Sequence, residues 1–184
     1  MTCGAKIVLL LITNIVAPIA VQAQLAPPAQ GTLRALVIGI NQYKSQRTLL
    51  GAVADARDLE KALKAGGVGD LTVLIDAQAT RRATEAAMNR LVAEVRAGDL
   101  VIVSFAGHGG QLPERVKGSD PDGVDEIFVL GGYESQGPGT AERLLDKELN
   151  VWLTRIEQKG ASTLFLADTC HGGGLTRNDD QRAG

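Results

Sequence analysis

The chain is 184 residues long, carries 19 Lys and Arg against 21 Asp and Glu, and is 45% hydrophobic. That length suits one domain or a portion of a larger one, and that apolar fraction suits a buried core, which excludes a disordered, collagen-like or multi-span membrane chain. A formal charge of −2 leaves no basic footprint for nucleic acid, 3% aromatics leave few stacking platforms, and two cysteines exclude a disulfide scaffold and paired zinc signatures.

Residues 1–23 hold one charge, Lys6, then an apolar run from Ile7, and end in Val21-Gln22-Ala23. This is the layout of a secretory signal peptide cleaved after Ala23, which predicts an exported protein, periplasmic or secreted, with no membrane attachment after cleavage. Thr13, Asn14 and Pro18 interrupt the run and disfavour an uncleaved spanning helix. Cleavage would leave 18 basic against 21 acidic residues, a net −3, and Cys170 as the single thiol. Residues 24–33, small, polar and proline-containing, read as a linker.

Arg34–Ile40 is a short apolar run that predicts a buried strand. Ala52, Ala56, Leu59 and Leu63 recur at helical spacing up to Gly66-Gly67. Leu71–Ile75 reads as a second strand. Thr80 can cap a helix with Met88, Leu91, Val92 and Val95 on one face, and Gly98-Asp99 turns into a third strand, Leu100–Phe105. A glycine-rich loop of about twenty residues follows, long enough to suspect function. Ile127–Leu130 reads as a short strand or hairpin arm. Asp146 can cap a helix with Leu149, Trp152, Leu153 and Ile156 on one face, ended by Gly160, and Ser162–Ala167 is the fourth main strand. Almost wholly apolar strands alternating with helices predict an α/β fold: a doubly wound, mainly parallel sheet with helices on both faces.

In such sheets the chemistry lies beyond the carboxyl ends of the strands. After the third strand stands Ala106-Gly107-His108-Gly109-Gly110, and after the fourth Asp168-Thr169-Cys170-His171-Gly172. If these strands are neighbours they lie about 4.8 Å apart. A thiol becomes a strong nucleophile as thiolate, and an imidazole can take its proton. His108 is the better base, because His171 is adjacent to Cys170 and adjacent side chains on an extended segment point apart. The N–H groups of Gly109 and Cys170 could hold an oxyanion. Zinc held by His108, Cys170, His171 and Asp168 is disfavoured, since the spacing matches no zinc pattern.

Together these residues resemble the caspase-like cysteine peptidases of family C14, specifically the metacaspase branch. The segments that carry the resemblance are Arg34–Tyr43, Leu50–Ala56, His108-Gly109 and Asp168–Gly172, and it runs from about Arg34 to Gly174. It implies that His108 is the general base and Cys170 the nucleophile; their separation of about sixty positions is near the family's spacing of roughly fifty or more. It further implies that Asp55 and Asp168 line a pocket for an Arg or Lys side chain, since two carboxylates attract a cation and repel an acid. The arginine with which caspases bind aspartate would fall at about Leu49, and Arg47 is out of register. The chemistry requires no cofactor. Some metacaspases are activated by calcium near the segment Ser119–Glu126, where Asp120, Asp122, Asp125 and Glu126 cluster; a solvated acidic turn is the preferred reading.

Family members continue into a smaller second portion that adds strands and completes the substrate groove, whereas Gly184 follows fourteen residues after Cys170. The expectation is a large-subunit portion over residues 34–175, with 176–184 a mobile tail or truncated end and the small-subunit portion separate or missing. The leading functional expectation is a Cys-His endopeptidase cutting peptide or protein substrates after Arg or Lys. The alternatives are a catalytically incompetent caspase-like module that binds a peptide or protein partner, and a ligand-binding domain whose glycine-rich loops hold an anion.

Overall fold

The computed structural model describes residues 31–118 and 123–170. The leader (1–23), most of the linker, Asp120, Asp122, His171 and the tail lie outside the described residues. In chain order the elements are β1 (Leu33–Gly39), α1 (Ala52–Ala65), β2 (Asp70–Ile75), α2 (Arg81–Glu94), β3 (Leu100–Pro113), β4 (Val124–Val129), β5 (Arg143–Leu145), α3 (Asp146–Glu157) and β6 (Ser162–Cys170). Short 3-10 turns at Asp76–Gln78 and Pro138–Ala141 interrupt the connections.

β2, β1, β3 and β6 lie side by side in that order, all parallel. The chain leaves β1 outward to β2, then crosses back to place β3 on β1's other side. That reversal opens a crevice at the carboxyl ends of β1 and β3. β1 is buried on both faces, which is why it reads as an unbroken apolar run. Ala35 and Val37 pack with Ile102 against Ala56 and Leu63 of α1. Leu36 and Ile38 pack with Val101, Val103 and Phe105 against Met88 and Leu91 of α2 and Trp152 and Ile156 of α3. Each large aliphatic side chain buried here contributes on the order of 1.5–3 kcal/mol. Gly39 sets how closely α1 sits on the sheet: a Cβ there would stand 2.4 Å from the Cβ of Ala56 and 2.7 Å from the carbonyl oxygen of Ala52.

Four details differ from the sequence expectation. First, β1 begins inside the expected linker. The Thr32 N–H donates to Asp99 Oδ1 at 2.7 Å and its carbonyl accepts the Leu100 N–H at 3.1 Å, so the segment has ladder partners. Second, β3 does not stop at Phe105. Ala106–Cβ-less Gly107–His108 continue beside β6, and Gly109–Pro113 then pair antiparallel with β4. Much of the expected loop is therefore a hairpin, hidden because glycines carry no apolar pattern. Third, β5 adds a three-residue strand to β4. Fourth, Asp146 is the first residue of α3 rather than its cap. Leu145 holds the cap position, and the Glu148 carboxylate accepts the Leu145 N–H at 3.0 Å. Thr80 does cap α2, its hydroxyl accepting the Ala83 N–H at 3.2 Å.

At the opposite, amino-terminal edge of the sheet, Asp99 is 4% exposed. It accepts from the N–H groups of Thr32 and Arg96 and from Arg34 Nε, the last two at 3.0 Å. Arg34 also pairs with Asp70, which in turn meets Arg90 at 2.9 Å. Burial pushes the Asp99 carboxyl up, but the two N–H groups and the Arg34 guanidinium outweigh it and hold the carboxyl below its ordinary value. A depressed carboxyl stabilises the fold above the unfolded value, about 3.9, and that contribution fades as pH falls through the folded value. Asp99→Ala should therefore cost about 3–5 kcal/mol in urea unfolding at neutral pH, because it leaves buried donors unpaired. The deficit should begin to shrink below about pH 4, where the unfolded chain's carboxyl takes up its proton, and fade as pH falls on through the lower folded value.

Candidate active site

The parallel register of β3 and β6 pairs Ala106 with Asp168, Gly107 with Thr169 and His108 with Cys170. The two strand ends singled out in the sequence are thus neighbours. The His108 N–H donates to the Tyr43 hydroxyl at 2.9 Å, and the two rings meet at a 4.7 Å centroid distance, tilted by 53°. His108 Nε2 lies 2.7 Å from the carbonyl oxygen of Arg47. A carbonyl only accepts, so Nε2 carries the proton, and in the neutral ring the lone pair falls on Nδ1. Burial pushes the Tyr43 phenol up to about 12, against the opposing effect of the His108 N–H, so the hydroxyl is neutral at physiological pH.

Tyr43 and Arg47 belong to the loop between β1 and α1, and that loop is fastened at several points. Asp76, just past β2, accepts the N–H groups of Asn41 at 2.7 Å and Gln42 at 2.9 Å through one carboxylate oxygen. The Asn41 side chain accepts the Val53 N–H at the start of α1, at 3.2 Å, while its own carbonyl accepts the Leu49 N–H at 2.9 Å. The Lys44 N–H reaches the Gly131 carbonyl at 2.8 Å. Asp76 has a φ of 47°, the one positive φ at a non-glycine position among the described residues. Such strain persists only where surrounding contacts hold it.

Asp55 lies in the first turn of α1 and Asp168 on β6; both are exposed. Strand alternation puts Asp168 on the side of Leu164, which packs with the α1 cluster, and His108 on the side of Ile102, in the same cluster. Asp55, Asp168 and His108 therefore share the α1 side of the sheet. Among the described residues neither carboxylate has an ion-pair partner. The Arg47 side chain is exposed.

Asp125 is 1% exposed, paired to Lys147 and to Arg115, whose N–H donates to it at 3.1 Å. Lys147 above all holds its carboxyl below the ordinary value, with burial opposing and the Arg115 N–H assisting. Glu126, the next residue of β4, faces the opposite way, exposed, toward a cleft of about 220 Å³ that Phe128 and Phe165 also line. The two carboxylates do not converge on one ion, and no cluster of three or more metal-ligating side chains occurs among the described residues. Gly109, expected in an open loop, is in β3 with Phe128 as its ladder partner.

Tyr43, Asp76 and the Arg47 carbonyl were not singled out as site groups from sequence. Tyr43 stands inside the segment that carries the family resemblance, but a carbonyl acceptor has no residue signature.

A doubly wound sheet with a histidine near its switch point, beside the strand that carries a cysteine, defines a caspase-like fold. A caspase domain model matches residues 32–183, and the chain belongs to that family. Metacaspase-1 of Saccharomyces cerevisiae is 32% identical over 152 residues, covering 78% of this chain and 34% of its own length. Metacaspase III c of Phaeodactylum tricornutum is 33% identical over 155 residues, with 80% and 44% covered. A crystal structure of a Geobacter sulfurreducens protein superposes with a TM-score of 0.64 at 28% identity, over 78% of this chain and 52% of that one. The chain spans roughly a third to under half of the length of these metacaspases.

Asp76→Ala should free the β1–α1 loop. Losing a charged acceptor costs about 1.5–3 kcal/mol, so native-state trypsin cleavage at Lys44 and Arg47 should accelerate about tenfold or more, while Asp76→Asn, which keeps an acceptor, should accelerate it less. Equal rates in both variants and the wild type would refute the anchoring role.

Proposed function

We propose that the chain is the nucleophile-bearing portion of a cysteine endopeptidase that cleaves peptide and protein substrates after Arg or Lys. The observation that carries this reading is the β3–β6 register, with His108 opposite Cys170 at the carboxyl end of the sheet. Nδ1 of His108 takes the thiol proton of Cys170. The thiolate attacks the scissile carbonyl carbon, and the N–H groups of Gly109 and Cys170 stabilise the oxyanion. His108 returns the proton to the leaving amine, leaving an acyl-enzyme. Water, deprotonated by the same imidazole, then releases the acid and restores the thiol. No metal takes part in these steps.

The basic specificity is supported by Asp55 and Asp168. Both are carboxylates on the His108 side of the sheet without a cationic partner among the described residues, and so able to receive one from substrate. The small-subunit portion is proposed as a partner that completes the groove. Residues 1–23 are proposed as a cleaved export signal, with the mature protein beginning at Gln24; among the described residues no helix is long and apolar enough to cross a membrane.

Peptides with Arg, Lys or Asp before the scissile bond test the reading, with the chain and the full-length gene product assayed in parallel, each with and without calcium. Turnover is expected after Arg and Lys, falling to background in Cys170→Ala and His108→Ala. Asp168→Asn should lower kcat/KM for Arg peptides on the order of tenfold or more, the size of a lost charged hydrogen bond. Cleavage after Asp would overturn the roles of Asp55 and Asp168. Absence of turnover in both forms would favour a peptide-binding module. Intact mass of the exported protein checks the cleavage after Ala23.

A further inference from the structure

We propose that Tyr43 is a positioning residue for His108, its hydroxyl and ring together holding the imidazole against the Arg47 carbonyl. The catalytic consequence rests on the dyad reading above; the positioning itself does not.

The argument begins with the ladder. β1 pairs with β3 from Leu33 opposite Leu100 to Gly39 opposite Ala106, and the Ile40 N–H to the Ala106 carbonyl, 3.0 Å, follows as a further rung. In a parallel strand the backbone groups of alternate residues point to the same neighbour. Ala106 points its carbonyl toward β1, so His108 points its N–H the same way. Yet β1 has ended by then. The Tyr43 hydroxyl takes that N–H at 2.9 Å and extends the ladder by one rung with a side chain. A backbone donor at this position would otherwise lack the acceptor that a strand supplies.

The same tyrosine touches the imidazole, so one residue fixes both the backbone and the ring of His108. Its own place is set on both sides in sequence: Asp76 holds Asn41 and Gln42, and the Gly131 carbonyl holds Lys44. Gly107 gives an independent sign of the approach. A Cβ there would stand 2.5 Å from the Tyr43 hydroxyl oxygen and 3.0 Å from the Phe105 ring, so only glycine admits the hydroxyl. The phenol's high pKa keeps it neutral, adding no charge beside the base.

The test is Tyr43→Phe, which keeps the ring and removes the hydroxyl, with Gly107→Ala as a second way to displace it. The chain has two histidines, so 15N imidazole spectra resolve His108, with His171→Gln for assignment. The wild type should show the Nε2–H tautomer, and Tyr43→Phe a mixture of tautomers, with cooperative unfolding retained. In the peptidase assay kcat should fall about tenfold with KM within about twofold, and Gly107→Ala should act in the same direction. An unchanged His108 tautomer in Tyr43→Phe overturns the proposal, whether or not the protein turns over peptide. The dyad reading is decided separately by His108→Ala: turnover that survives that change sinks the dyad, while the spectrum still decides Tyr43.

Discussion

The rest of the structure depends on β3 changing partners. It is fourteen residues long, well beyond a typical strand of five or six. Over its first half it lies between β1 and β6, in parallel and with both faces covered. Past His108 it pairs with β4 instead, antiparallel. The changeover falls where β1 has run out, so His108 retains the rigidity of a strand while its ring meets a loop rather than a packed core. A side chain held on a strand can be kept to a fraction of an ångström.

Charge divides between the two ends of the sheet. At the amino-terminal edge Arg34, Asp70, Arg90, Glu94 and Asp99 pair with one another around the starts of β1, β2 and β3 and the end of α2. Asp125 is likewise enclosed between Lys147 and Arg115. These groups spend their charge on the fold. At the carboxyl end the pattern reverses: Asp55 and Asp168 face solvent with no cation beside them among the described residues. Desolvating a lone carboxylate is costly, and both remain exposed.

What was legible in the sequence follows from the same physics. β1, the core of β3 and α1 to α3 announce themselves because burial on one or both faces imposes a readable apolar period. The sequence draws attention to His108 and Cys170 because each follows an apolar run in a doubly wound order, and the register sets the two positions opposite each other. The continuation of β3 was not, because Gly107, Gly109 and Gly110 have no side chains to alternate. β5 is too short to show a period. Leu145 could not be told from Asp146 as the cap of α3, because the satisfying group is the Glu148 carboxylate, itself held by Arg81 at 2.8 Å from another helix. Asp76 and Tyr43 act on backbone groups 34 and 65 positions away, a partnership that only the folded chain reveals.

The loop that serves His108 is itself a consequence of packing at the end of β1. Gly39 lets Ala52 and Ala56 come against the sheet, which draws the start of α1 over the carboxyl end of β1. The residues between must then travel outward and return within about a dozen positions. Asp76 catches the departing chain at Asn41 and Gln42, and the Asn41 side chain catches the returning helix at Val53. Between those two fixed points the backbone passes the middle of β3, where the Arg47 carbonyl faces the His108 imidazole. A methyl group at position 39 would push α1 away and loosen that span without touching a single site residue. The contact between the Arg47 carbonyl and the His108 ring is thus tied, through one glycine and two alanines, to how closely a helix can lie on a strand.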